Sequence, residues 1–216
     1  MLQACMFDLD GTLIDSLADL AASSNFALAQ QGLPTHTTSE YRHFVGLGVG
    51  KLIEDALPEH SRVPETLEAT RRLFDQHYAI HCLDSTRPYD GIERLLTKLG
   101  GYKCAVVSNK PDLFAKKIVF ELFGDRFDVV MGQREGVPRK PDPAGTLEVC
   151  SLMGVRPAQC LYLGDSGVDM VTARAADMLA IGALWGFRTR WELVENGAGA
   201  LLEEPEDLLD VLKRGR

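Results

Sequence analysis

The sequence lacks the features of a membrane or secreted protein. Its longest mostly apolar run, residues 178–187, is well short of the ~20 residues that a membrane helix needs. A basic start followed by a long apolar stretch is missing, so we expect no signal peptide. The five cysteines are scattered and without CxxC spacing, which favours small buried side chains in a reduced compartment. We therefore expect a cytoplasmic protein.

Positive charge is also in deficit. Lys and Arg number 23 against 31 Asp and Glu, which gives a net charge of −8. An acidic surface argues against nucleic acid and anionic membranes as main partners. It leaves an anionic substrate open, because a metal ion and one lysine can reverse the local field. The apolar fraction of 45% and the charged fraction of 25% are typical of a soluble globular enzyme.

Apolar runs alternate with amphipathic stretches in most of the chain. This alternation predicts an α/β fold with a parallel sheet covered on both faces. In such sheets, ligands bind beyond the carboxyl ends of the strands. The predicted strands are residues 4–7, 104–107, 127–131, 160–163 and 179–184, and the predicted helices are residues 91–99, 112–123, 144–153 and 168–175.

One region breaks the alternation. Residues 16–84 show only helical periodicity, with apolar stripes such as Leu17, Leu20, Ser24 and Leu28. We interpret this insertion as a separate helical lid. The expected domains are therefore an α/β core of residues 1–15 and 85–216, and a helical domain of residues 16–84.

The end of the first predicted strand carries two carboxylates, Asp8 and Asp10, separated by one residue. Like charges so close are costly unless a cation neutralises them, and Mg²⁺ with oxygen ligands is the simplest such cation. Gly11 would let the backbone turn sharply beside a ligand. Taken alone, the same residues are also typical of an acidic turn.

Two further polar segments precede predicted helices. Ser108 and nearby backbone N–H groups could hold a phosphate oxygen at a helix N-terminus, although Ser108 and Asn109 are also typical helix caps. Lys140 lies in a loop stiffened by two prolines, where a lysine is a well-placed point charge for phosphate. The alternative for Lys140 is an ordinary solvated side chain.

The fourth segment follows the strand at residues 160–163. Asp165 and Asp169 are four residues apart, so they can face one another across a first helical turn. With Asp8 and Asp10 they would supply a cluster of hard oxygen ligands. The alternative is an Asp helix cap and a second, solvated Asp.

These four segments, in this order, resemble the haloacid dehalogenase superfamily of phosphohydrolases. Within it, the chain looks most like bacterial phosphoglycolate phosphatases. The resemblance implies a Rossmann-like parallel-sheet core with an inserted all-helical cap. It covers nearly the whole chain and is carried by residues 8–16, 108–112, 140–143, 164–169 and 186–198.

The resemblance also implies roles for the first motif. Asp8 would attack phosphorus and form an aspartyl-phosphate, and Asp10 would protonate the leaving alcohol and then activate water. Mg²⁺ would be held by the Asp8 side chain, the Asp10 backbone carbonyl and Asp165. Thr12 would help to position Asp10.

The remaining motifs would bind and orient the phosphate. Ser108 and Lys140 would grip its oxygens, and the backbone N–H of Asn109 would join this cradle. Asp169 would anchor Lys140 or a metal-bound water. In the lid, Lys51 follows a glycine run and is a candidate for binding a substrate carboxylate, although a solvated lysine that begins a helix is the alternative.

The sequence therefore predicts a Mg²⁺-dependent phosphatase acting on a small-molecule phosphate monoester. A β-phosphoglucomutase-like sugar-phosphate mutase and a non-catalytic binding domain remain alternatives. Nothing marks a dimer face, so a monomer or a homodimer is expected.

Overall fold

The computed structural model describes residues 1–214, and the chain divides into two compact units. The first, which we call the core unit, comprises residues 1–14 and the chain from residue 88 onward. The second, the helical unit, comprises residues 15–87. The two units divide at residues 14/15 and 87/88. Among the described residues, no helix combines the length and apolar character that a membrane crossing requires.

Eight strands occur along the described chain. Six of them form one sheet in the order β5-β4-β1-β6-β7-β8, and β2 and β3 form a separate two-stranded sheet. The strands are β1 (Ala4–Phe7), β2 (Ile14–Asp15), β3 (Arg87–Pro88), β4 (Lys103–Pro111), β5 (Val129–Gln133), β6 (Cys160–Gly164), β7 (Leu179–Ala183) and β8 (Ala200–Leu202).

The six-stranded sheet is parallel throughout. All four residues of β1 are buried, as expected of a strand covered on both faces. β1 lies between β4 and β6, with Phe7 opposite Val106 on one side and Leu163 on the other. The chain leaves β1 for β4 on one side and later returns to β6 on the other. This reversal creates the crevice at the carboxyl ends where ligands bind in open parallel sheets.

In the core unit the helices alternate with these strands, and in the helical unit they follow one another along the chain without a strand between them. They are α1 (Leu17–Ala29), α2 (Tyr41–Phe44), α3 (Val49–Ala56), α4 (Pro64–His81), α5 (Ile92–Lys98), α6 (Asp112–Phe123), α7 (Ala144–Met153), α8 (Gly167–Ala175), α9 (Arg190–Glu195) and α10 (Leu208–Arg214). The predicted parallel α/β fold with an inserted all-helical segment is confirmed.

Some element bounds differ from those expected. β4 continues to Pro111, beyond the predicted end at Val107, with a register shift against β5 between these two residues. The apolar pattern did not predict this bulged end of the strand, because polar residues interrupt the pattern there. β8, α9 and α10 were not predicted, since each is short and carries few buried residues.

The helical unit has its own apolar core. The predicted stripe Leu17, Leu20, Ser24 and Leu28 is the buried face of α1. In α4, the rings of Phe74 and Tyr78 stack with centroids 5.2 Å apart. These buried side chains of α1 and α4 form a packed core within the helical unit.

The end of the helical unit is tied to α1 by a buried carboxylate. The Asp19 side chain accepts hydrogen bonds from the backbone N–H groups of Ser85 and Thr86 and from the Thr86 hydroxyl, at 2.7–3.0 Å. Because these bonds satisfy the carboxylate, Asp19 can be buried within the unit.

Candidate active site

The polar residues singled out in the core unit meet at the carboxyl ends of three adjacent strands. Asp8 follows β1, Ser108 lies near the end of β4, and Asp165 follows β6. The Asp8 N–H donates to the Leu163 carbonyl at 2.9 Å, so the pairing of β1 and β6 carries on to the first carboxylate. All three side chains are buried.

The chain reverses sharply after Asp8. The N–H groups of Thr12, Leu13 and Ile14 all donate to the Leu9 carbonyl, which closes a tight turn. Gly11 has φ +86°, and a Cβ there would overlap the Asp165 carboxylate. The turn therefore needs glycine both for its backbone conformation and for the approach of Asp165.

Lys140 connects two of the buried carboxylates. Its ammonium lies 2.8 Å from Asp8 Oδ1 and 2.7 Å from Asp169 Oδ1. It also donates to the Tyr162 hydroxyl at 3.0 Å, which in turn donates to the Val107 carbonyl at 2.7 Å. Burial by itself would lower the pKa of Lys140, but Asp169 and Asp8 outweigh it and the pKa lies well above its usual range. Lys140 is therefore a fixed positive charge beside Asp8.

The loop that carries Lys140 is held by Asn109. The Asn109 side-chain amide donates to the Lys140 carbonyl at 3.1 Å, and the Lys140 N–H donates to Asn109 Oδ1 at 2.9 Å. The Lys140–Pro141 peptide bond is cis. The side chain of Asn109 thus positions Lys140, a contact that the sequence did not reveal.

Asp165 is fixed by residues from two other segments. Its carboxylate accepts from the Thr12 hydroxyl at 3.1 Å and from the Phe187 N–H at 2.8 Å. The Trp185 indole N–H donates to the Thr12 carbonyl at 2.9 Å, which ties the same segment to the turn after Asp8. A Cβ at Gly186 would overlap both Asp165 and the Gly11 carbonyl. The hydroxyl of Thr12 therefore holds Asp165. Its expected role in positioning Asp10 stays a prediction.

Asp169 belongs to the start of α8. Its carboxylate accepts from the Ser166 N–H at 3.1 Å and the Ser166 hydroxyl at 2.6 Å, which forms a capping box. Its other oxygen holds Lys140. The residue thus combines the expected link to Lys140 with a structural role in the helix start.

Asp8, Asp165 and Asp169 form an acidic cluster whose ligand atoms lie within 4.8 Å of one another. Burial, followed by repulsion from Asp169, raises the pKa of Asp8 to about 7 against the opposing effect of Lys140. Burial and repulsion from Asp169 and Asp8 raise the pKa of Asp165 to about 8. Three buried carboxylates beside one lysine are the donor set that a hard divalent cation such as Mg²⁺ fits.

Lys110 is a residue of this site that sequence reasoning missed. Its ammonium lies 2.9 Å and 3.0 Å from the two oxygens of the Asp10 carboxylate. A lysine directly after Ser108 and Asn109, at the end of a buried strand, was the available signal. This signal is weak, because most lysines are solvated.

Lys51 lies in the helical unit, in the first turn of α3. Its ammonium is 2.7 Å from Asp55 and 3.4 Å from Glu54, and the side chain is 39% exposed. The helix begins after Gly48, which has φ +84°. The role of Lys51 toward a substrate stays a prediction.

Comparison with known proteins places the chain in a family. A phosphoglycolate phosphatase of Xylella fastidiosa is 33% identical over 210 residues, which cover 93% of this chain and 88% of that protein. An N-acetylmuramic acid 6-phosphate phosphatase of Pseudomonas aeruginosa is 32% identical over 222 residues, covering 99% and 96%.

The comparison with solved structures points to the same kind of protein. The crystal structure of a candidate phosphoglycolate phosphatase from Lactobacillus delbrueckii subsp. bulgaricus matches with a TM-score of 0.92 and 33% identity, over 97% of this chain and 98% of that one. The family profile of haloacid dehalogenase-like hydrolases matches residues 5–183. The chain therefore belongs to the haloacid dehalogenase-like hydrolases.

Proposed function

We propose that this chain is a Mg²⁺-dependent phosphatase that hydrolyses a small phosphate monoester through an aspartyl-phosphate on Asp8. One observation carries the proposal: the Asp8 carboxylate is buried at the end of β1, 2.8 Å from the Lys140 ammonium and within an acidic cluster. A nucleophilic carboxylate needs a nearby positive charge to receive an anionic phosphate. The family membership and the phosphatases among the relatives support the same reaction class.

In the first proposed step, an Asp8 oxygen attacks phosphorus and the bond to the leaving oxygen breaks. Asp10 gives its proton to that oxygen as the alcohol departs. Lys140 and Ser108 hold the phosphate oxygens, joined by the backbone N–H of Asn109. Lys140 is suited to this role because its pKa keeps it charged.

In the second proposed step, water attacks the phosphorus of the aspartyl-phosphate and gives a proton to Asp10. Phosphate leaves and the Asp8 carboxylate is restored. Asp169 holds Lys140 in place through both steps, from a distance of 2.7 Å.

The residues that would hold Mg²⁺ are the Asp8 side chain, the Asp10 backbone carbonyl and Asp165. When bound, the ion would neutralise charge between nucleophile and phosphate. Asp169 belongs to the same acidic cluster, but its two oxygens already accept from Lys140 and Ser166. We therefore assign it a supporting role.

The proposed substrate is phosphoglycolate or a similar small monoester, on the strength of the relatives named above. In the helical unit, Lys51 is the proposed residue for binding a substrate carboxylate.

Phosphate release from phosphoglycolate and from N-acetylmuramic acid 6-phosphate tests the proposal, with EDTA and with added Mg²⁺. We expect release only with Mg²⁺, and a loss of at least ~10³-fold in Asp8→Asn, because the neutral amide is not a nucleophile. Asp90→Asn is the matched control, since the Asp90 side chain is 94% exposed. A phosphorylated intermediate should be trapped in the wild type and absent from Asp8→Asn.

Full activity in Asp8→Asn would overturn the nucleophile assignment. The absence of release from every monoester tried would favour the non-catalytic alternative. Product analysis with a hexose phosphate distinguishes hydrolysis from transfer to the sugar, the reaction of a mutase.

A further inference from the structure

Lys110 is a second buried lysine in the core unit, for which the mechanism above has no role. Its side chain is 3% exposed, and its ammonium lies 2.9 Å and 3.0 Å from the two oxygens of Asp10. The Asp10 side chain is 12% exposed. An ammonium that contacts both oxygens restricts the rotation and translation of the carboxyl group more than a single hydrogen bond does.

The backbone of Lys110 is itself fixed by its surroundings. Its N–H donates to the Ser108 hydroxyl at 3.2 Å. On the neighbouring strand, a Cβ at Gly132 would overlap the Lys110 carbonyl and the Asp112 Cα, so the two strands approach closely here. This stretch of β4 has shifted register relative to β5, and such bulges re-aim side chains. The ammonium is therefore carried on a rigid support.

The two buried lysines serve different carboxylates. Lys140 contacts Asp8, Asp169 and the Tyr162 hydroxyl, whereas Lys110 contacts Asp10. The nucleophile and the proposed proton-transfer group thus each lie against a buried ammonium. Loss of one ammonium should affect the step that depends on its own carboxylate.

We propose that Lys110 is a positioning residue that holds the Asp10 carboxyl group toward the leaving oxygen and the attacking water. The inference rests on the proposed function, because it takes Asp10 as the proton-transfer group. Lys110 acts through Asp10, while Lys140 and Ser108 keep the contacts with the phosphate. The role predicts a dependence on the leaving group that a purely structural lysine would not produce.

The test compares Lys110→Met with the wild type on two kinds of ester. One is an alkyl monoester, phosphoglycolate or glycerol 3-phosphate, whichever the wild type hydrolyses; its leaving group needs a proton. The other is 4-nitrophenyl phosphate, whose phenolate leaves without one. We expect kcat for the alkyl ester to fall about 10²-fold, the size of a lost acid–base contribution, with KM nearly unchanged.

With 4-nitrophenyl phosphate, the first turnover of Lys110→Met should stay close to that of the wild type. Later turnovers should be slow, because the hydrolysis of the aspartyl-phosphate also needs Asp10. Rapid mixing should therefore show a burst of 4-nitrophenol stoichiometric with the enzyme. The burst also demonstrates that the variant is folded and forms the intermediate.

Two further variants separate positioning from structural damage. Lys110→Arg should recover part of the alkyl-ester activity, since a guanidinium can also contact both carboxylate oxygens. In the Asp10→Asn background, Lys110→Met should cause no additional loss, because its effect passes through Asp10. Lys116→Met is the matched control, since Lys116 is 57% exposed and pairs with Asp112 on α6.

Two results would overturn the inference while leaving the proposed function intact. One is a first turnover of 4-nitrophenyl phosphate slowed as much as that of the alkyl ester. The other is a full, multiplicative loss when Lys110→Met is added to Asp10→Asn. A wild type that hydrolyses no monoester would instead overturn the proposed function, and the role of Lys110 with it.

Discussion

The surroundings of three lysines decide what each can do. Lys140 and Lys110 are buried against carboxylates of the core unit, whereas Lys51 is half-exposed and paired with Asp55 and Glu54. A buried ammonium is held in one place by its partners, whereas an exposed ion pair contributes little to stability. The sequence alone does not distinguish these cases, because it shows the residue type and not its partner.

Lys51→Ala tests the proposed contact with a substrate carboxylate. Loss of a charge-assisted hydrogen bond to the carboxylate should raise KM for phosphoglycolate roughly tenfold. KM for 4-nitrophenyl phosphate, which has no carboxylate, should not change. Steady-state kinetics on both esters measures this, with Lys98→Ala as the control because Lys98 is an exposed lysine paired with Glu206. An unchanged KM for phosphoglycolate would leave Lys51 as a surface ion-pair residue.

At the scale of elements, the segment after β7 that contains Trp185 and Phe187 is hydrogen-bonded to residues of the candidate site. Trp185 donates to the Thr12 carbonyl at 2.9 Å, and the Phe187 N–H donates to Asp165 at 2.8 Å. The segment therefore connects the turn after Asp8 with a proposed Mg²⁺ ligand. Groups that orient metal ligands in this way commonly affect metal affinity about 10–100-fold.

Trp185→Phe should lower the apparent Mg²⁺ affinity of the enzyme several-fold, with a smaller effect on kcat at saturating Mg²⁺. The side chain stays aromatic but a phenyl ring replaces the indole, so the change removes the hydrogen bond together with part of the ring and costs at least about 1 kcal/mol of stability. A Mg²⁺ titration of phosphate release measures the shift. Trp191→Phe is the matched control, because Trp191 is 67% exposed on α9. Equal Mg²⁺ dependence in the two variants would contradict a supporting role for Trp185.

The elements themselves were largely predictable, and their irregular ends were not. α6 and α7 have the bounds that their amphipathic pattern predicted, and β1 has those of its apolar run. The bulged end of β4 was missed, although it carries Ser108, Asn109 and Lys110. Periodicity identifies regular structure, whereas functional residues here lie where the pattern breaks.

The partners of site residues depend on long-range packing. The sequence did not reveal that the Thr12 hydroxyl donates to Asp165, a residue 153 positions away in the chain. Asn109 bonds to the loop of Lys140 in the same manner. Sequence spacing restricts which residues can meet only within a helix or a turn. The sequence could therefore identify residues of the candidate site, but not which of them contact one another.

For the molecule as a whole, the acidic cluster should make stability depend on pH and on Mg²⁺ together. An aspartate in an unfolded chain has a pKa of about 3.9, whereas the pKa values of Asp8 and Asp165 in the folded protein are raised to about 7 and about 8. Between these values, the folded protein binds protons that the unfolded chain has released. Without Mg²⁺, the free energy of unfolding should therefore fall as pH rises from about 4 to about 8.

Thermal unfolding in EDTA and in Mg²⁺, at pH values from about 5.5 to about 8.5, measures this dependence. In EDTA, the Tm of the wild type should fall with rising pH more steeply than that of Asp165→Asn, which lacks one titrating group. Mg²⁺ should raise the wild-type Tm more at about pH 8 than at about pH 6, because it binds the deprotonated carboxylates. Asp90→Asn should behave as the wild type. If Asp165→Asn and the wild type lose stability in parallel, or if the effect of Mg²⁺ is the same at both pH values, the buried cluster does not control stability.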